Sequence, residues 1–369
     1  MDTVNLRISG PTPLPPRVRA ALSTDMVSHR SAAFRDVLAE VLGGLAPVFG
    51  GPATILPFTC SGTGGLEAAV VNTVSPGQRV VVVSIGYFGR RMAEIALAAG
   101  LAVELVEAPW GRAADPGDLE AMLRRHRDVA AVLITHNETS TGVLNPMPEL
   151  SRVVRECSDA LLVVDVVSSL GATPVLMRDW GVDVAVGVSQ KALMAPPGLA
   201  LLGVSTRALD AATANSARRY YFDFTAMAQA VEENTTTYTP AIPVFHALRE
   251  SLRMIADEGW DQVLARHQRL SEQCRGGLAD LGLALAADRP HASPTVTSFF
   301  VPAQVRASDI RERMAVEHRV QVASGRATWK NSALRVGHMG YVSDGEVAQV
   351  LDALGAVLEK GSVRGGRQA

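Results

Sequence analysis

The chain contains 369 residues, of which 47% are apolar and 20% charged, and its formal net charge is −2. This composition is typical of a globular protein, and the length predicts two domains. The balanced charge argues against a nucleic-acid-binding surface, the absence of an apolar run of about 18 residues argues against a membrane span, and the first residues lack a secretion-signal pattern.

The predicted elements begin with a proline-rich segment, residues 10–16 (GPTPLPP), which cannot form regular helix or central strand. We therefore predict an extended arm over residues 1–15. From Phe34 to Leu45 apolar residues recur at helical spacing, which predicts the first long helix.

Short, continuous apolar runs then alternate with helical segments. The predicted strands are residues 79–84, 101–107, 129–136, 160–166, 182–188 and 199–204, and the predicted helices are 66–74, 88–99, 115–127 and 148–158. Runs that are apolar on both faces and separated by helices predict a mostly parallel sheet covered on both sides.

The pattern changes after about residue 240. A long helical stretch over 244–285 is followed by a strand at 295–301, a helix at 308–316, a strand at 334–336 and a helix at 344–358. This order predicts a smaller α+β domain. We therefore assign residues 16–250 to a large domain, 251–360 to a small C-terminal domain and 361–369 to a disordered tail.

The three cysteines, Cys60, Cys157 and Cys274, are far apart, and neither they nor the eight histidines have the spacing of metal ligands. We predict no metal site. Few, unpaired cysteines are typical of a reducing compartment, so we expect a cytoplasmic protein.

Ligands of an open α/β sheet bind beyond the carboxyl ends of its strands. The loop at residues 60–65 (CSGTGG) opens into a predicted helix, where small residues, hydroxyl groups and the positive helix end can bind a phosphate. The same pattern also fits an ordinary helix N-cap. It is neither a Walker loop nor a dinucleotide-binding G-x-G-x-x-G motif.

Two further polar residues follow buried strands. Asp165 needs a hydrogen-bond or charge partner, which could be the next turn or a protonated ring nitrogen. Lys191 could be a surface residue, but its apolar surroundings favour a buried amine with a lowered pKa that acts as a nucleophile. An anion site, a carboxylate and a lysine at one sheet edge are together what pyridoxal 5′-phosphate requires.

Four segments carry a family resemblance: residues 61–69 (SGTGGLEAA), 136–142 (HNETSTG), 165–171 (DVVSSLG) and 189–198 (SQKALMAPPG). They resemble the class V aminotransferases of the alanine–glyoxylate and serine–pyruvate type, and residues 10–13, 28–31 and 334–337 are similar too. The resemblance covers almost the whole chain. It implies fold type I of pyridoxal-phosphate enzymes, with a mainly parallel seven-stranded sheet, a smaller C-terminal α+β domain and a homodimer with sites at its interface.

The resemblance also assigns cofactor contacts. It implies that the phosphate meets Ser61, Gly62, Thr63 and Gln190, and that the ring meets Phe88, Thr139 and Asp165, with Lys191 forming the Schiff base. Tyr238 and Thr239 would reach the phosphate of the partner subunit. Phe88 stands where many relatives have tryptophan, which keeps the stacking face, although it could also be a plain core residue.

Arg335 is implied to bind the substrate α-carboxylate with its planar guanidinium group. Its alternative is a surface ion pair of little energetic worth. Gly10, Arg30 and the loop at 324–330 would surround the substrate side chain, and Arg326 in that loop could contact a second acid group.

These residues predict an aminotransferase that moves an amino group between an amino acid and a 2-oxo acid by ping-pong kinetics. The family resemblance implies a small amino acid such as alanine or serine, with glyoxylate or pyruvate, as the substrates. A lyase or decarboxylase on the same fold is the main alternative, because the same cofactor serves both. A desulfurase fits poorly, since Cys274 lies in a helical stretch and Phe88 stands where a histidine is expected. A non-enzymatic nucleotide-binding module lacks its usual motifs.

Overall fold

The computed structural model describes residues 4–365, with side chains to residue 359. Its strands are β1 Asn5–Arg7, β2 Thr54–Phe58, β3 Arg79–Ser84, β4 Ala102–Glu107, β5 Val129–Thr135, β6 Asn137–Glu138, β7 Val143–Leu144, β8 Leu161–Asp165, β9 Val184–Val188, β10 Ala200–Val204, β11 Val296–Phe300, β12 Val320–Ser324 and β13 Ala333–Gly337. Its α-helices are α1 Pro16–Ala21, α2 Ala32–Leu45, α3 Gly62–Thr73, α4 Tyr87–Ala98, α5 Pro116–Arg125, α6 Met147–Cys157, α7 Met177–Trp180, α8 Thr206–Ala214, α9 Phe224–Glu232, α10 Ile242–Glu258, α11 Trp260–Asp280, α12 Ala307–His318 and α13 Asp344–Gly365.

A seven-stranded sheet in the order β2-β10-β9-β8-β5-β3-β4 forms the centre of the molecule. β10 runs in the opposite direction to the other six strands, which are parallel to one another. The predicted mainly parallel sheet is therefore confirmed. Successive side chains of a strand point to opposite faces. Val81 and Val83 accordingly join one hydrophobic core, whereas Val80 and Val82 join the core on the other face.

The structure contains elements that the sequence analysis did not predict, among them β2, β12, α8 and α9, and it divides one predicted helix. The edge strand β2 was missed, because Pro57 interrupts its apolar run; an edge strand tolerates proline since one side has no hydrogen-bonding partner. The single helical stretch predicted at 244–285 is wrong, because α10 and α11 are separate helices. Gly259 divides them with a φ of 89°, in the left-handed region that favours glycine.

A second sheet in the order β1-β12-β13-β11 packs against α11, α12 and α13 around its own core. The N-terminal segment, expected as an extended arm, contributes β1, which pairs in parallel with β12. Buried Arg7 of β1 also contacts Glu346 of α13 at 3.3 Å. The division of the chain into domains stays a prediction; its boundary at residue 250 lies inside α10, and the tail at 366–369 lies outside the described residues.

The carboxyl ends of β5, β8 and β9 meet at one edge of the large sheet. Thr135 pairs with Asp165 there, and Asp165 pairs with Val186. The segments that follow these strands carry the polar residues singled out in the sequence, including Thr139 and Lys191.

Candidate active site

A pocket opens at this sheet edge, and most of the predicted cofactor residues line it. They are Ser61, Gly62, Thr63, Phe88, Thr139, Asp165, Gln190 and Lys191. Five parts of the chain far apart in sequence therefore converge on one cavity: the start of α3, the start of α4, and the segments at the ends of β5, β8 and β9.

The loop before α3 has the geometry of an anion site. Ser61 is the N-cap of α3, and its Oγ accepts a hydrogen bond from the Gly64 N–H at 3.4 Å. Gly62 lies close against the strand ends: a Cβ there would come within 3.0 Å of Val188 and 3.1 Å of Val167. The free N–H groups of the first helical turn and the exposed Thr63 hydroxyl thus face the pocket with a positive potential.

A buried amine and a buried carboxyl group lie next to this loop. Burial, and to a smaller extent nearby Arg335, lowers the pKa of Lys191 to about 8, and Asp165 opposes the shift. Burial raises the pKa of Asp165 to about 7, although its carboxylate accepts a hydrogen bond from the Val167 N–H at 2.9 Å. The lysine is thereby partly neutral near neutral pH, which a nucleophilic amine requires.

The N-terminal segment lies directly against Lys191. The Lys191 ammonium donates a hydrogen bond to the Ser9 carbonyl, and the Thr12 hydroxyl donates to the Lys191 carbonyl at 2.9 Å. Gly10 between them has a φ of 106°, and a Cβ there would lie 2.7 Å from the Lys191 Nζ. Gly10 was predicted to face the substrate; its contact with the lysine explains why no side chain fits.

Arg335 is buried in β13, so the alternative reading of a surface ion pair is wrong. Its Nε donates to the Ser324 carbonyl at 2.9 Å, and its Nη1 donates to the Thr139 carbonyl at 2.8 Å and the Ser9 hydroxyl at 3.2 Å. Among the described residues it has no ion-pair partner. Burial, with Arg326 nearby, lowers its pKa to about 10, and the group stays cationic at neutral pH.

Glu138 holds Phe88 in place, a role that sequence reasoning missed. Gly86, the residue before α4, has no side chain to cap the helix. The buried Glu138 carboxylate accepts from the Phe88 N–H at 2.8 Å and the Gly89 N–H at 3.2 Å instead. An acidic residue two positions after the predicted strand 129–136 was the available signal.

Arg91, which lines the pocket, was also missed in the sequence analysis. Its guanidinium carbon lies 5.1 Å from the ring centroids of both Tyr87 and Phe88, and its Nη1 donates to the Thr63 hydroxyl at 3.5 Å. Arg91 stands three residues after Phe88 in a predicted helix, so helical spacing would have placed the two side chains together.

Asn137 and Ser168 complete the polar lining that the sequence reading omitted. The Asn137 amide donates to the Ser168 hydroxyl at 2.7 Å and to the Thr295 hydroxyl at 2.9 Å. Leu66 and Val167 add apolar surface to the same pocket. All four lie inside segments that carry the family resemblance, but the sequence analysis assigned no role to them.

Tyr238 and Thr239 do not line this pocket. The Tyr238 ring stacks on Tyr221 at 5.1 Å, and its hydroxyl donates to the Tyr220 carbonyl at 3.2 Å. Tyr220 is 80% exposed. The predicted contact of Tyr238 and Thr239 with a partner's phosphate stays a prediction.

Within residues 4–365 no group of three or more His, Cys, Asp and Glu side chains is arranged to hold a metal ion. Across the same residues no helix is both long and apolar enough to cross a membrane. Cys60, Cys157 and Cys274 are free thiols.

Comparison with known proteins places these features in a family. The family model described as "Aminotransferase class-V" matches residues 9–350. The "Soluble hydrogenase, small subunit" of Synechococcus is 38% identical, over 97% of this chain and 93% of that protein. The "L-aspartate--glyoxylate aminotransferase" of Paracoccus denitrificans is 35% identical, over 91% and 86%. The crystal structure of an alanine–glyoxylate aminotransferase from Nostoc has a TM-score of 0.93 at 32% identity, over 97% and 96%.

Proposed function

The chain belongs to the class V aminotransferase family, and we propose that it uses pyridoxal phosphate to move an amino group from a small amino acid to a 2-oxo acid such as glyoxylate. The observation that carries the proposal is one pocket holding a buried amine, Lys191, and a buried carboxyl group, Asp165, beside an anion-binding helix start. The hydrogenase name of the Synechococcus relative describes that protein.

The pocket residues fit this cofactor. The Gln190 side-chain oxygen is buried without a hydrogen-bond partner among the described residues, which leaves its amide group available at the pocket. Asp165 is a buried carboxyl group with a raised pKa, and a cationic ring nitrogen would restore its ionised form. When bound, pyridoxal phosphate supplies an aldehyde that links to amines and a ring that withdraws electrons from the substrate.

The chain's own residues then have separate tasks. Lys191 would hold the cofactor, and once a substrate amine replaces it, the free Lys191 amine would take the proton from the substrate Cα. Arg335 would bind the α-carboxylate and orient that Cα toward Lys191. Phe88, whose backbone N–H donates to the Glu138 carboxylate, would cover one face of the cofactor ring.

A desulfurase has no support here. Cys274 is fully buried in α11, and burial raises the pKa of its thiol to about 12. A thiol in this position is neither mobile nor ionised, so it cannot act as the nucleophile that desulfuration needs.

We also propose a homodimer in a reducing compartment such as the cytoplasm. Tyr220, Tyr221 and Tyr238 form an aromatic surface next to the Thr59 carbonyl, which accepts from the Tyr221 hydroxyl at 3.3 Å. Exposed aromatic surface of this kind is enriched at protein interfaces. The three free cysteines fit a reducing compartment.

The test uses the small number of lysines: Lys191, Lys330 and Lys360 are the three in the sequence. Purified protein should absorb visible light, hydroxylamine should remove that absorbance, and borohydride followed by mass spectrometry should place the pyridoxyl group on Lys191. Lys191→Ala should lose both absorbance and amino transfer, while Lys330→Ala keeps the absorbance. An adduct on another lysine, or on none, contradicts the assignment.

A further inference from the structure

Arg326 lies beside the residue proposed to bind the substrate carboxylate. β12 ends at Ser324, whose carbonyl accepts from the Arg335 Nε at 2.9 Å, and the Gly325 N–H donates to the Ala333 carbonyl at 2.8 Å. Arg326 follows immediately. The segment 324–326 thus contacts the guanidinium group of Arg335 and carries the guanidinium group of Arg326.

The Arg326 guanidinium lies just outside the pocket lining, with the Tyr87 ring between it and Phe88. Its carbon is 5.4 Å from the centroid of the Tyr87 ring, and Tyr87 packs edge-on against Phe88 at 5.3 Å. Phe88 lines the pocket itself. Arg326 is exposed at this position, so a molecule entering the pocket can reach it.

The loop that carries Arg326 is anchored by contacts of Trp329. Trp329 packs edge-on against Trp110 at 5.1 Å and Phe300 at 5.0 Å, and its N–H donates to the Arg326 carbonyl at 2.9 Å. Ala327 has a φ of 43°, a left-handed conformation that costs an alanine free energy. A non-glycine residue kept in this conformation beside a pocket is typical of a functional site.

The two guanidinium charges beside this pocket are not balanced by the protein. Arg326 has no ion pair among the described residues, and its charge lowers the pKa values of both Arg335 and Lys191. The carboxylate of Glu138 is already engaged with backbone N–H groups and the Ser140 hydroxyl. Asp165 offsets the charge of Lys191, but the two guanidinium groups, which have no ion-pair partner in the described part of the chain, favour a ligand that brings more than one negative group.

We propose that Arg326 is a specificity-determining residue that selects amino donors with two carboxylates, Arg335 binding the α-carboxylate and Arg326 the distal one. This inference rests on the proposed amino-transfer function and names the substrate class of the same pocket. A guanidinium group suits the task because it pairs with a carboxylate in a planar, two-point contact.

The test compares donors in the first half-reaction of the holoenzyme. kcat/KM would be measured for L-aspartate and L-glutamate against L-alanine and L-serine, in the wild type, Arg326→Met, Arg326→Lys and the matched control Arg311→Met. Arg311 is an exposed arginine of α12. We expect Arg326→Met to lower the ratio of dicarboxylic to monocarboxylic kcat/KM at least about ten-fold, as for loss of one charge-assisted contact. Arg326→Lys should recover part of it, and Arg311→Met should leave it unchanged.

A binding measurement gives a second readout. Calorimetry with succinate and propionate should show that Arg326→Met weakens succinate binding about ten-fold more than propionate binding. An unchanged donor ratio, or equal losses for both donor classes, overturns the inference, since equal losses indicate only general attraction of anions. Amino transfer from alanine or serine would support the proposed function even if the inference about Arg326 failed. If no donor transferred its amino group, the proposed function would be contradicted, and succinate binding would still test the role of Arg326.

Discussion

Because Gly10 has no side chain, the Lys191 amine has room to lie directly against it. Gly10→Ala would add a methyl group 2.7 Å from the Lys191 Nζ and Cδ. This distance is too short for non-bonded atoms, so the lysine side chain must move. Because a displacement of about 1 Å of a reacting group costs on the order of 10²-fold in rate, we expect kcat to fall by about that factor. Steady-state kinetics of amino transfer would measure it.

Gly77→Ala is the matched control. Gly77 also has a positive φ, 86°, but a Cβ there meets no atom within 4 Å. Both variants therefore carry similar backbone strain, and Gly10 alone crowds the lysine. Full activity in Gly10→Ala would contradict the steric role of this position.

At the scale of elements, the start of α4 depends on a carboxylate from the β5–β8 connection. Burial raises the pKa of Glu138, while hydrogen bonds from Ser140, Gly89 and Phe88 favour its ionised form. Glu138→Ala would leave buried N–H groups without an acceptor. We expect the free energy of unfolding to fall by about 2–3 kcal/mol, typical of lost hydrogen bonds to a charged group, and cofactor affinity to fall as Phe88 shifts.

Chemical denaturation and titration of the apoprotein with pyridoxal phosphate would measure the two effects. Glu94→Ala is the control on the same helix, since Glu94 is exposed and such changes usually stay within about 0.5 kcal/mol. If Glu138→Ala behaved like Glu94→Ala, the carboxylate would not be the cap of α4.

At the scale of the whole molecule, three buried histidines predict sensitivity to acid. Burial lowers the pKa of His136 and His338 to about 3 and that of His267 to about 4. The unfolded chain binds protons on these rings below about pH 6.5, whereas the folded chain does not, so the free energy of unfolding falls as the pH drops from about 6.5 to about 4. Asp165, with its raised pKa, opposes this trend in the apoprotein.

The contribution of a single histidine can be isolated. His267 accepts a hydrogen bond from the Gly340 N–H at 3.0 Å, and His267→Gln keeps an acceptor that does not titrate. Urea unfolding at several pH values between 7 and 4.5 should show a slope smaller than that of the wild type by up to about 1.4 kcal/mol per pH unit. Identical slopes would mean that His267 is protonated in the folded state as readily as in the unfolded one.

The sequence by itself determined six of the seven strands of the central sheet and the chemistry at its edge. Strands buried on both faces must be apolar throughout, so β3, β5 and β8 were visible as short runs, and Asp165 and Lys191 stood out because each ends or follows such a run. These signals are local and follow from the cost of burying a polar group.

The tertiary structure alone decided which distant residues meet. The pairing of β1 with β12, the crowding of Lys191 by Gly10 and the position of Arg326 over Tyr87 each join residues more than 180 positions apart. Neither spacing nor hydrophobic pattern encodes such contacts, because they arise only when separate elements pack together. The sequence therefore shows which groups can react, and packing sets their distances, their pKa values and the ligands they admit.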